Sequence, residues 1–167
     1  MAFVVPFDGS ELAKTALVRA VEFGRVLDER VIAISVIPEG NASYARERGW
    51  IDRDAPFDLD AAVGTLHESV AAHAPNAEFR YAVVGRHATS GTIASRIRRM
   101  AKEADASMVF VGSENAGHVV SSLSSVGDTV AADDTYDVVI VRNRTPSTID
   151  ALDAAAGSRG PKSDYHP

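Results

Sequence analysis

The sequence predicts an α/β domain: a single doubly wound five-stranded parallel sheet, with helices on both faces. Three observations carry this. Five short apolar runs rich in β-branched residues alternate with segments of helical period, the pattern of β-α-β units. The run Val31-Ile32-Ala33-Ile34-Ser35-Val36-Ile37 is almost continuously apolar, as suits a strand covered on both faces. Small and breaking residues follow several runs, as at Asp8-Gly9-Ser10 and Gly112-Ser113, where such sheets place their ligands.

Taken in order, Phe3 to Phe7 reads as the first strand, ended by Asp8-Gly9-Ser10. Ser10 is a suitable N-cap and Glu11 an acidic first-turn residue. Leu12, Ala13, Ala16, Leu17, Ala20, Val21, Phe23 and Gly24 then mark an apolar helix face running towards Leu27. Lys14, Arg19, Glu22 and Arg25 fill most of the other face. The second strand, Val31 to Ile37, stops at Pro38. An irregular stretch from Gly40 to Pro56 has room for a short helix at 43–48, and its Trp50 reads as a lid packing over the core. Asp58 to Ala74 is a second long helix, with Leu59, Ala62, Val63, Leu66 and Val70 inward. Glu78 to Val84 is a strand near a sheet edge, Gly85 to Gly91 a loop, and Thr92 to Ala104 a third helix. Met108 to Val111 is the fourth strand, Ser124 to Ala132 a fourth helix, and Asp137 to Arg142 the last strand. Residues 1–143 form the expected domain. Residues 144–167 read as a polar C-terminal extension that includes a short amphipathic segment at 148–156.

Composition narrows the function classes. A net charge of −6 argues against a general nucleic-acid surface, which needs basic excess to displace counterions. The absence of cysteine removes thiolate metal sites and cysteine nucleophiles. No run approaches the roughly 20 apolar residues of a membrane span, and Pro6-Phe7-Asp8 interrupts the N-terminus before any signal core develops. The expectation is a soluble cytoplasmic protein.

The stretch from Met108 to Val126 passes from strand to a Gly- and Ser-rich loop and then to a helix start. Unpaired amides and the helix dipole favour an anion at such a junction. A ligand-free loop closing the end of the sheet is the plain alternative. If the strand order is 3-2-1-4-5, the expected one, Asp8-Gly9-Ser10 and the Gly112 loop share one crevice.

Those segments carry a family resemblance. The opening V-V-P-F-D-G-S-E-L-A-K-T-A-L, the later V-F-V-G-S with S-S-V-G-D-T-V-A, and the closing V-V-I-V-R resemble universal stress proteins over residues 2–143. The resemblance implies a five-stranded parallel fold, homodimers through the last strand and, in one subgroup, binding of ATP or AMP. That subgroup carries Gly-x-x-Gly, nine residues, then Gly-[Ser/Thr]. Here Gly112 matches, Asn115 stands at the second glycine, and Ser124-Ser125 falls at the final pair with the spacing one residue short. By the resemblance, adenosine contacts fall on Pro6, Asp8 and Val36, and phosphate contacts on Gly112, Asn115, Ser124, Ser125 and Val126. Asn tolerates the left-handed region, but a Cβ at Ser124 obstructs close approach of the backbone to phosphate. The leading expectation is therefore a stress-response or regulatory protein with a degenerate nucleotide site. The alternative is a member that still binds ATP or AMP and switches with it. The bland reading makes Asp8 a turn residue and Ser124 and Ser125 helix caps.

Other chemistry is poorly represented. His67 and His73 lie six apart, unlike a metal pair at four, and His87, His118 and His166 fall in loops or the tail. The Arg96, Arg98, Arg99 and Lys102 cluster reads as a solvated helix face balanced by Glu103. No nucleophile elbow, dinucleotide fingerprint or Walker pattern is present. A nucleotide-hydrolysing enzyme is the third reading, for which Asp8 alone is too little, and no metal is required.

Overall fold

The computed structural model of the protein describes residues 1–114 and 136–142. Their elements are β1 (Ala2–Pro6), α1 (Glu11–Leu27), β2 (Arg30–Pro38), α2 (Ala42–Glu47), α3 (Leu59–His73), β3 (Glu78–Val84), α4 (Ser90–Glu103), β4 (Ala106–Gly112) and β5 (Asp137–Val141). The strands form one sheet of order β3-β2-β1-β4-β5, and every pairing is parallel. The predicted topology is the one observed. The helix expected over 124–132 and the extension over 144–167 lie outside the described residues.

Local chemistry accounts for the helix starts. The Ser10 hydroxyl accepts from Ala13 N at 3.2 Å, Asp58 Oδ1 from Ala61 N at 3.2 Å, and Thr89 Oγ1 from Thr92 N at 3.1 Å. Each satisfies an amide left over by the first helical turn. The third case moves a boundary. The loop expected through Gly91 ends at Thr89, because the threonine cap recruits Ser90 and Gly91 into the first turn.

Two cores flank the sheet. On one face Phe3, Val5, Phe110 and Val141 pack with Ala16, Leu17 and Ala20 of α1 and with Leu66 and Val70 of α3. Phe110 is central to this layer, with its ring 5.4 Å from Phe3 and 5.7 Å from Phe23. On the other face Val4, Ile32, Ile34, Val36 and Val109 meet Met100, Ala101 and Ala104 around α4. Strand β2 is buried on both sides from Val31 to Pro38, as its unbroken apolar run requires.

Two expectations fail. The charge pattern places Glu22 on the outer face of α1, but it is only 7% exposed, and the Nε of Arg19 is buried as well. Helix α1 packs against four strands of the sheet, so its covered face is wider than the apolar stripe. The apolar run also predicts a fourth strand that stops at Val111, before Gly112. Instead Gly112 ends β4, in register with Val141 of β5. A Cβ there would lie 2.8 Å from Leu12 Cβ and 3.2 Å from the Leu12 carbonyl carbon. The glycine allows the end of β4 to touch the first turn of α1.

Candidate functional site

At the C-terminal ends of β1 and β2 lies a cavity of ≈ 160 Å³. This is comparable with the roughly 150 Å³ void that holds benzene in another protein, so it has room for a planar ring. Its floor is Pro6, Phe7 and Asp8 after β1, with Ile34 and Val36 of β2. One wall is Ile93, Ala94 and Ile97 of α4, and its roof is Tyr44, Arg48 and Trp50. The position follows from topology. The carboxyl ends of the strands are where an open α/β sheet places its ligands, and here β1, β2 and α4 supply the lining while β4 does not.

The floor is built by short-range hydrogen bonds. Asp8 Oδ1 accepts from Ser10 N at 2.9 Å, which folds the chain over Gly9 at φ 82° before α1 begins. The buried Ser35 hydroxyl donates to the Phe7 carbonyl at 2.6 Å, and Phe7 N donates to the Ile34 carbonyl at 2.8 Å. The end of β1 is thus tied to β2 at the bottom of the cavity.

The roof is pinned from three directions. Trp50 is 3% exposed, and its indole Nε1 donates to the Asp8 carbonyl at 2.8 Å. Trp50 N donates to the Ala45 carbonyl at 2.9 Å, closing the turn after α2. Asn41 caps α2 by accepting from Tyr44 N at 3.0 Å, and its Nδ2 donates to the Arg86 carbonyl at 3.0 Å. Arg46 donates to the Ala55 carbonyl through both Nε and Nη2. The lid expected around Trp50 is present, and the short helix beside it spans 42–47.

Aromatic and charged groups meet under this roof. Tyr44 and Trp50 pack edge to face with centroids 5.6 Å apart, and the Arg48 guanidinium carbon lies 3.3 Å from the Tyr44 ring centroid. Burial pushes the Tyr44 phenol above its ordinary value of 10.0. The Arg48 charge opposes that rise and the Asp8 charge adds to it. The hydroxyl therefore stays protonated through the neutral range, and a carboxylate and a guanidinium both lie close enough to act on it.

Of the residues singled out from sequence, Pro6, Asp8 and Val36 come together as lining of this one cavity. Gly112 is not in its lining and faces Leu12 instead. Asn115, Ser124, Ser125 and Val126 lie outside the described residues, as does His118. Tyr44, Arg48, Ser90 and the α4 wall were not anticipated. The available signal was the Tyr44-to-Arg48 spacing of four with Trp50 two residues on, just past the end of β2. His67 stacks on Phe79 at 5.2 Å, while an exposed His73 Nδ1 lies 2.8 Å from the Ser69 carbonyl. Arg99 pairs with Glu103 at 3.2 Å on the solvated face of α4. Among the described residues no helix is long and apolar enough to cross a membrane, and no group of three or more metal-ligating side chains occurs.

No curated protein matches the chain significantly. Among solved structures, the universal stress protein from Archaeoglobus fulgidus superposes with a TM-score of 0.53 at 20% identity, covering 85% of this chain and 98% of its own. A universal stress protein in complex with cAMP gives 0.49 at 22% identity, covering 85% and 97%. The Archaeoglobus fulgidus protein in complex with dAMP gives 0.44 at 21%, covering 85% and 98%. The family model for the universal stress protein family matches residues 1–142. With that match over most of its length, the chain, folded as a five-stranded parallel sheet, belongs to the universal stress protein family.

Proposed function

We propose that this protein is a non-catalytic, cytoplasmic regulator that binds an adenine nucleotide mainly through its nucleoside half. The carrying observation is that Pro6, Asp8 and Val36, to which the family resemblance assigns adenosine contacts, line one cavity sized for a planar ring. Apolar walls from Ile34, Ile93 and Ile97 suit a base. The Asp8 carboxylate is the acceptor for a ribose hydroxyl, a charge-assisted hydrogen bond that orients the sugar. Asp8 already holds Ser10 N, so it serves as a positioned acceptor more readily than as a general base. The phosphate cradle is the altered part of the site, because Asn115 and Ser124 replace glycines in the family pattern. Self-association through β5 completes this reading.

Titration of the purified full-length chain with adenosine, AMP and ATP tests the proposal. The single Trp lines the cavity, so its fluorescence reports occupancy directly. Saturable binding that competes with adenosine supports the reading. Absence of any response, in fluorescence and in calorimetry alike, at millimolar ligand sinks it. ATP turnover that disappears in Asp8→Ala would replace it with an enzymatic one.

A further inference from the structure

Two arginines sit on the cavity's lid, and they are used differently. Arg46 is committed, with Nε and Nη2 both donating to the Ala55 carbonyl at 3.0 and 2.5 Å. Among the described residues Arg48 donates only through Nη1, to the Tyr44 carbonyl at 3.3 Å, and lays its guanidinium over the Tyr44 ring. No ion pair among the described residues includes Arg48, although acidic residues outnumber basic ones in this chain by 23 to 17. Arg48 is exposed yet lines the cavity, so its charge stands at the mouth while Asp8 stands on the floor.

We propose that Arg48, held over the Tyr44 ring at the cavity mouth, receives the ligand's phosphate, so that this site selects a nucleoside monophosphate over the free nucleoside. The proposal rests on the nucleotide-binding reading above and deepens it. A guanidinium offers five N–H donors in a fork that matches two phosphate oxygens. Stacking on an aromatic face holds that plane in place without consuming its donors. An acidic chain repels anions at long range, so a phosphate needs a cation at the site itself. Gly112 does not line this cavity, and the space left by its missing side chain is taken by Leu12. The rest of the glycine pattern carries Asn115 and Ser124 in place of glycine. One guanidinium satisfies one phosphate, which is why the monophosphate is the predicted class.

The test compares adenosine and AMP on wild-type, Arg48→Ala and Arg48→Lys full-length protein, by Trp50 fluorescence and calorimetry. Wild type is expected to prefer AMP over adenosine by about tenfold, Arg48→Ala to bind the two ligands with equal affinity, and Arg48→Lys to recover part of the preference. Added salt should weaken AMP binding to wild type and leave adenosine binding unaffected. Unchanged melting temperatures show that the variants are folded, as expected for an exposed side chain. An AMP-to-adenosine ratio that is the same in Arg48→Ala as in wild type overturns the assignment, as does a wild type without preference. In both cases intact adenosine binding leaves the nucleotide reading standing. If neither ligand binds wild type, the nucleotide reading fails and this proposal fails with it.

Discussion

Asp8 has two duties in this structure: its side chain accepts from Ser10 N, and its carbonyl accepts from the Trp50 indole. Asp8→Ala removes the carboxylate from both the turn and the ligand, so it should weaken nucleotide binding by roughly 1–3 kcal/mol and also lower stability. Asp8→Asn keeps an acceptor for Ser10 N but not the charge. If it matches Asp8→Ala in affinity while melting like wild type, the charge acts on the ligand. If it binds like wild type, the charge is irrelevant to the ligand. Gly112 has a different duty. Gly112→Ala forces its Cβ against the backbone of α1 at Leu12 and should cost about 1–3 kcal/mol by overpacking. Chemical denaturation would read this as a lower midpoint with an unchanged slope, and an unaltered midpoint would refute the packing role. Tyr44 supplies a pH signature. Its folded-state value is raised by burial, so the folded form holds its proton more tightly than the unfolded chain. That stability is fully present below the unfolded value of 10.0 and is lost as pH rises through the higher folded value. Tyr44→Phe should therefore narrow the alkaline loss of stability, and equal pH profiles for the two proteins would count against it.

At the scale of elements, α2 and the turn to Trp50 form a lid whose attachments are polar and specific. Only Ala45 is buried within this six-residue helix, and isolated helices of that length do not persist on their own. Contacts made by Asn41, Arg46 and Trp50 hold it instead. Trp50→Phe preserves most of the ring packing but leaves the Asp8 carbonyl without its indole donor. It should destabilise by about 1 kcal/mol or more and increase hydrogen exchange in residues 41–50. Wild-type exchange in that segment would show that Trp50 is not the anchor.

For the whole molecule, both sheet edges matter. Strand β3 carries charged groups on its edge, including the Arg80–Glu78 pair and Arg30–Glu78 at 3.8 Å, which discourage pairing with another chain. Strand β5 is mostly β-branched, with Val138 and Val139 half-buried and Ile140 36% exposed. An edge of that composition invites a second copy, and twofold symmetry would bring β5 against itself. Sedimentation of the full chain and of a chain ending at residue 145 should show dimers in both. Monomers in both would end that idea. Dimers that appear only after truncation would assign residues 146–167 as an edge cover.

What the sequence determined by itself was the order and type of the described elements, the cap at Ser10 and the buried character of β2. These rest on periodicity and on hydrogen bonds spanning three or four residues, which are written locally in the chain. Tertiary structure alone decided that Gly112 makes room for a helix, that Glu22 is covered, and that Tyr44 and Arg48 roof a cavity floored by Pro6 and Asp8. Each of those outcomes depends on a neighbour many residues away: Leu12 for Gly112, the sheet for Glu22, and the Asp8 carbonyl for Trp50, which seats the roof. A local pattern cannot carry that information, because close packing between distant segments is settled only when the crossovers have brought them together.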